Sequence, residues 1–181
     1  SHQVSEFTQT NWNGIIGKME LQATPPVYIN NFQIRPNVDE KNAKVTITVK
    51  RRDTSDALSG AILLTANSWN NDKKSHRADP QELHFSFAAG ADETTVTLNY
   101  KMGSEMLLWD EFSPTLYKMT AVLRAKQGEN QYSSVEERDF GMRKFTTKEI
   151  NNGKQFQIND RTTMLRGEIN CAAFPRTGYS P

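Results

Sequence analysis

Residues 44–50 read Lys-Val-Thr-Ile-Thr-Val-Lys, an alternation of polar and apolar side chains without a fault. A period of two sends Val45, Ile47 and Val49 to one face of an extended chain and the lysines and threonines to the other. The segment predicts a half-buried antiparallel strand. The pattern then returns. Leu83, Phe85 and Phe87 alternate with His84 and Ser86, and Val96, Leu98 and Tyr100 alternate with Thr97 and Asn99. Tyr117, Met119, Ala121 and Leu123 continue it, with Lys118, Thr120 and Arg124 among them. Residues 27–34 stop short of Pro36, residues 61–69 are continuously apolar at Ile62-Leu63-Leu64 as a central strand would be, and residues 135–140 close the set. No stretch between residues 27 and 139 carries a helical period.

Seven such strands over about a hundred residues, each bounded by Gly, Asn, Asp or Pro, predict an all-β fold: an immunoglobulin-like β-sandwich of antiparallel strands. Beyond them, Asn151-Asn152-Gly153 offers a turn and residues 155–158 resume an alternating strand, so an extra C-terminal β-hairpin is expected. Asn159-Asp160 makes a second polar break, and residues 162–165 form a short β-prone run. At the other end, residues 12–24 read as a short β-prone piece that Pro25-Pro26 stops, because consecutive prolines remove ladder donors and hold the chain extended. A domain boundary is placed there.

Cys171 is the single cysteine, so stability must come from apolar burial and sheet hydrogen bonds rather than an internal disulfide. The 22 basic and 21 acidic residues leave a net charge of +1, which gives no global field for nucleic acid, an anionic membrane or an acidic substrate. No apolar run is long enough to span a bilayer, and residues 1–13 lack the apolar core of a signal peptide. The compartment stays open, and an exported parent protein, periplasmic or extracellular, is compatible with the chain.

The groups that might carry chemistry read mostly as structural. His2, His76 and His84 show no metal-ligand spacing and Cys171 has no companion, so neither a metal nor a cofactor is predicted. Lys73, Lys74, His76 and Arg77 form a basic cluster that reads as a solvated loop diluted by Asp72 and Asp79. The carboxylate pairs Asp92-Glu93, Asp110-Glu111 and Glu136-Glu137 are sequence neighbours, and neighbours on a strand point to opposite faces, so Glu136 and Glu137 cannot converge on one bond. No catalytic residue is assigned. Trp12, Trp69 and Trp109 could stack on sugar rings, but Trp69 and Trp109 read first as anchors at the ends of a sandwich.

Several short motifs share one resemblance. Phe140-Gly141-Met142-Arg143, Phe156-Gln157-Ile158-Asn159, Leu165-Arg166-Gly167, Pro175 and Gly178 resemble the lead-in to the catalytic barrel of glycoside hydrolase family 2, which includes β-galactosidases, β-glucuronidases and β-mannosidases. Leu108-Trp109, Pro114 and Leu116-Tyr117 resemble another signature of that family, and Gly14-Ile15-Ile16-Gly17 with Met19-Glu20-Leu21 resembles the last strand of its sugar-binding domain. The resemblance implies three parts: residues 1–25 as the tail of a preceding sugar-binding domain and linker, 26–141 as the immunoglobulin-like sandwich, and 142–181 as the hairpin and first strand of a truncated catalytic barrel. It also implies that residues after Leu165-Arg166-Gly167 border the substrate pocket, with Asn170 as the substrate contact and Arg166 orienting the strand end. Ile169-Asn170-Cys171-Ala172 stands where β-galactosidase-like members carry Asn-Arg-His-Glu, which argues against galactosidase specificity.

The family's acid/base glutamate follows an asparagine, and no Asn-Glu dipeptide occurs in this chain, so both catalytic carboxylates are expected beyond residue 181. The resemblance thus implies a non-catalytic scaffold within a retaining glycoside hydrolase. Its partners would be the sugar-binding and barrel domains of the parent chain, and its carbohydrate substrate would be met through the parent. The alternative is a free-standing β-sandwich that binds carbohydrate or protein. A lone barrel strand would leave unpaired backbone, so residues 140–181 are expected to be disordered or to pair with another copy's edge.

Overall fold

The computed structural model describes residues 17–150 and 153–167. Its strands are β1 (Val27–Asn37), β2 (Asn42–Arg51), β3 (Leu58–Ser68), β4 (Arg77–Phe87), β5 (Glu93–Lys101), β6 (Tyr117–Gln127), β7 (Asn130–Phe140), β8 (Phe145–Ile150), β9 (Gly153–Ile158) and β10 (Arg161–Thr162). No helix occurs among the described residues. The first seven strands form two sheets, in the orders β1-β2-β5 and β4-β3-β6-β7, and every pairing is antiparallel. This is an immunoglobulin-like sandwich in which the fourth strand joins the sheet of β3 rather than that of β5.

Alternation places the core as the sequence reading requires. Val45, Ile47 and Val49 are fully buried, opposite a second layer that includes Ile62, Leu64, Met119, Ala121 and Leu123. On the wet face of the smaller sheet, Thr46 meets Thr97 at 3.3 Å and Thr48 meets Thr95 at 3.0 Å, a cross-strand hydroxyl ladder. Pro36 and Pro80 both lie on edge strands, where a missing N–H disrupts least, and Pro80 falls at the β3–β4 register shift between Leu64 and Ala66.

Side chains close the corner between the sheets. Gln81 on β4 donates from Nε2 to the Lys101 carbonyl at 3.0 Å and accepts from the Lys101 N–H at 3.0 Å, so one amide imitates a ladder pair between β4 and β5. Beside it, the Tyr100 hydroxyl donates to the Asp79 carbonyl at 2.9 Å, and burial raises the Tyr100 pKa to about 12. At the opposite end Arg51, 4% exposed, donates from Nε to Ala91 O and from Nη2 to Ala88 O, both at 2.7 Å, and from Nη1 to Asp56 O. Its guanidinium also lies 4.9 Å from the centroid of the Phe87 ring. A buried cation is thereby held by carbonyl dipoles and an aromatic face, joining the β2–β3 and β4–β5 loops.

The two ends of the described chain differ from expectation. Residues 17–24 contain no strand, and Met19 and Leu21 are exposed; among the described residues this β-prone segment pairs with no sheet edge, and an unpaired strand is not stable by itself. By contrast the expected C-terminal hairpin is present as β8 and β9, and β10 adds to it in the order β10-β9-β8, so this segment pairs within the chain rather than being disordered or joining another copy's edge. The physical reason is local. Ile158 pairs with Arg161, and the two residues between them, Asn159 and Asp160, have φ of 49° and 65°. Positive φ at both central positions gives the primed turn whose twist suits a two-residue hairpin, and Asn and Asp tolerate it. Thr24–Met164 forms one compact unit that contains both the sandwich and this small sheet.

Candidate functional site: the seat of the small sheet

The small sheet is seated on the sandwich through Asn159. Its backbone N–H donates to Lys144 O at 2.9 Å, its Oδ1 accepts from Lys144 N at 3.0 Å, and its Nδ2 donates to Trp109 O at 2.9 Å. The turn that β9 needs therefore also presents an amide to the long connection between β5 and β6. Trp109 completes the seat from that connection: its N–H donates to Met142 O at 2.9 Å, and Met142 is fully buried.

Two features hold the Trp109 ring. A Cβ at Gly141 would sit 3.0 Å from Trp109 Cβ and 3.1 Å from Cγ, so the indole occupies the space a side chain would take. The Arg143 guanidinium lies 4.7 Å from the centroid of the Trp109 ring. With Arg143 against it, Trp109 acts as the anchor expected of it. Trp69 does not: it is 54% exposed and contributes its N–H to Leu116 O at 3.2 Å.

Charges surround the seat. Lys144 Nζ reaches Asp39 Oδ1 at 2.9 Å and Asp160 Oδ1 at 3.1 Å, and hydrogen bonds to Asp39 and then Asp160 raise its pKa. Arg161 Nη2 donates to Glu111 Oε1 at 2.6 Å, which lowers the Glu111 pKa, and the Arg161 guanidinium lies 5.1 Å from the centroid of the Phe112 ring. Asp110 Oδ1 accepts from Phe112 N and Ser113 N at 2.8 and 2.7 Å and shapes the loop that carries Glu111. These ion pairs are exposed, so they fix orientation more than they add stability. Beyond them Phe145 and Phe156 stack at 5.4 Å, half-exposed, across the small sheet.

The remaining candidates separate from this seat. Glu136 meets Arg138 at 3.1 Å, whereas Glu137 meets Lys118 at 3.2 Å on the other face of β7, so the pair does not converge. His84 is a surface position, 3.9 Å from Glu82. In the basic cluster, Asn71 Oδ1 accepts from Lys73 N and Lys74 N at 3.0 Å, and Arg77 begins β4. His76 departs from the solvated-loop reading. Its Nδ1 lies 2.9 Å from the hydroxyl of buried Tyr117, which accepts from Leu107 N at 2.7 Å, and burial lowers the His76 pKa. Arg166 is exposed, while Asn170, Cys171, His2 and Trp12 lie outside the described residues. Among the described residues no cluster of three or more His, Cys, Asp or Glu side chains is placed to hold a metal ion.

Trp109 and the Gly141-Met142-Arg143 run were legible in the sequence, and Asn159 stood there as the end of the Phe156-Gln157-Ile158-Asn159 motif and part of a polar break, with no role for its side chain. The available signal was Asn followed by Asp in a gap between two β-prone runs, which marks a primed turn.

Comparison with known proteins places this geometry. The sequence model of glycosyl hydrolases family 2 matches residues 27–143. Among solved structures, a family 2 β-galacturonidase from Eisenbergiella tayi, bound to glycerol, superposes with a TM-score of 0.56 at 20% identity, covering 76% of this chain and 21% of that one. The calcium-binding mutant of Bacteroides uniformis β-glucuronidase 2 gives a TM-score of 0.58 at 18% identity, covering 79% of this chain and 17% of that one. The likeness is one of fold, and this chain spans about a fifth of the length of those enzymes. No curated protein sequence matches.

Proposed function

This chain belongs to glycosyl hydrolases family 2, and we propose that it acts as the non-catalytic spacer of a glycoside hydrolase, fixing the angle between a sugar-binding domain and a catalytic barrel. The observation that carries this reading is the family match over residues 27–143, which covers all seven sandwich strands and reaches Arg143 at the seat of the small sheet. In this reading residues 1–25 end the sugar-binding domain, 26–141 are the spacer, and 142–181 lead into the barrel. The seat built by Asn159, Trp109 and Gly141 gives that lead-in one orientation, because the hydrogen bonds from Asn159 Nδ2 to Trp109 O and from Trp109 N to Met142 O, with a close-packed ring, resist rotation.

The two carboxylates that flank the scissile bond of a retaining enzyme are supplied by polypeptide outside this chain. Within that parent, Asn170 borders the substrate pocket and Arg166 orients the end of the first barrel strand. The carboxylates on this chain support the division of labour: Glu93, Glu111, Glu136 and Glu137 are each engaged by a neighbouring cation. The test is a panel of aryl glycosides offered to the full-length parent and to this chain. The parent is expected to release aglycone with retention, and this chain to release none. Turnover by this chain alone would overturn the reading.

A further inference from the structure

The outer face of the sheet β4-β3-β6-β7 is matched in charge at one end and unmatched at the other. Near the start of β6, Lys118 meets Glu137 across the strand pair at 3.2 Å. Near its end, Arg124 and Lys126 stand on the same face, opposite Ser133 and Gln131 on β7 and Ala61 and Ser59 on β3. Opposite charges across a strand pair are the usual partner for such cations, and here the neighbours are small or neutral. Among the described residues neither Arg124 nor Lys126 forms an ion pair, and no carboxylate lines the space around them.

That space is a groove of about 580 Å³, within the range of roughly 300–1,000 Å³ that small-molecule sites occupy. Alternation explains its depth. Ser59 and Ala61 point outward with almost no side chain, and the longer Arg124, Lys126 and His84 form the walls. Gly60 is itself obligatory, since a Cβ there would lie 2.5 Å from both Arg124 O and Phe85 Cζ. Glu82, an acid on this face, lies 3.9 Å from His84 at the rim.

We propose that this groove binds an acidic oligosaccharide, a sugar chain carrying carboxylate or sulfate groups. Residues two apart on a strand are separated by about 7 Å, so Arg124 and Lys126 meet anionic groups repeated along a chain better than one small oxyanion. Ser59, Ser133 and Gln131 supply neutral donors and acceptors suited to sugar hydroxyls. Single-stranded nucleic acid needs exposed aromatic platforms for its bases, whereas of the Phe and Tyr rings lining the groove Phe85 is buried and Tyr132 is partly buried against the core. The chain's net charge of +1 argued against a polyanion partner for the molecule as a whole, but a local face can be cationic while the total is balanced.

The test uses the whole chain, titrated calorimetrically with an oligogalacturonide, a neutral glucan oligomer of equal length, a poly-glutamate peptide and inorganic phosphate. Binding of the oligogalacturonide alone is expected, weakening with salt, with amide shift changes at residues 59–61, 124–126 and 131–133. R124Q/K126Q should weaken it by about tenfold or more, S59W should block it, and K118Q should leave it unchanged, with thermal melts checking that each variant folds. Equal binding of the neutral glucan, the peptide or phosphate, shift changes elsewhere, no binding, or indifference to R124Q/K126Q would each overturn the proposal. Binding is read on this chain without catalysis, so a parent lacking glycosidase activity would leave the inference standing.

Discussion

Asn159 donates its side-chain amide to the carbonyl of Trp109 at 2.9 Å, joining a two-residue turn of the small sheet to a connection fifty residues earlier in the chain. The same side chain accepts from Lys144 N at 3.0 Å, so one amide ties three segments. Asn159→Ala removes both bonds and leaves the Trp109 carbonyl and Lys144 N–H without this partner. A loss of about 1–3 kcal/mol is expected, local to the seat. Hydrogen exchange should show faster opening of amides in 145–158, with the amides of 45–49 and 119–123 unchanged. Equal acceleration in both regions would mean that the seat and sandwich open together.

The sandwich was legible in the sequence because alternation is a local property: Val45, Ile47 and Val49 declare their face without reference to any other strand. The seat was not legible to the same degree. Lys144 and Asp39 are 105 residues apart and Asn159 and Trp109 are 50 apart, and no periodicity links such positions. Arg51 shows the same limit, since its carbonyl partners are set by how two loops fold back rather than by residue type. The C-terminal hairpin was legible too, as β8 and β9, whereas the expectation that residues 140–181 would be disordered or pair with another copy's edge undervalued the Asn159-Asp160 turn, which adds β10 to that hairpin. The candidate substrate residue Asn170 lies outside the described residues.

Gly141 tests the same seat from its packed side. A Cβ there would meet Trp109 Cβ, Cγ and Cδ1 at 3.0, 3.1 and 3.2 Å, so Gly141→Val must push the indole out from under Arg143. Overpacking of this kind costs about 1–3 kcal/mol. A lower melting temperature is expected, together with a red-shifted Trp109 emission in a background where Trp12 and Trp69 are replaced by Phe.

Arg51→Lys distinguishes charge from geometry. The guanidinium reaches carbonyls of Asp56, Ala88 and Ala91 with three separate nitrogens, a fan that one ammonium on a flexible stem does not reproduce. Arg51→Lys should therefore destabilise by about 1–3 kcal/mol, and Arg51→Ala by more, because all three carbonyls then lose their shared donor. Denaturant melts that left the lysine variant at wild-type stability would show that charge alone suffices.

The strand register itself is tested by a contrasting pair. Val45 is fully buried, so Val45→Asp places a lone carboxylate in the core and should prevent folding, whereas Lys73→Ala, in an exposed loop, should leave stability within about 0.5 kcal/mol. Circular dichroism of the two purified variants decides the matter. Equal tolerance would contradict the inward assignment of Val45, Ile47 and Val49.

His76 gives the molecule an acid-sensitive point. Burial lowers its folded-state pKa, while the Glu105 carboxylate opposes that shift more weakly. A histidine with a depressed pKa binds fewer protons folded than unfolded, so stability rises with pH across the interval. The contribution is fully present above the unfolded value near 6.5 and is lost as pH falls through the lowered folded value. Structurally, the Tyr117 hydroxyl accepts from Leu107 N and meets His76 Nδ1 at 2.9 Å, with donor and acceptor set by the imidazole tautomer; a charged imidazolium makes Nδ1 a donor and turns the hydroxyl hydrogen away from it. His76→Gln removes the titration, so its melting temperature should fall less than wild type between pH 7 and pH 5. Because carboxylates elsewhere titrate equally in both proteins, the difference between the two curves isolates His76, and parallel curves would show that this histidine is not the group that acid reaches.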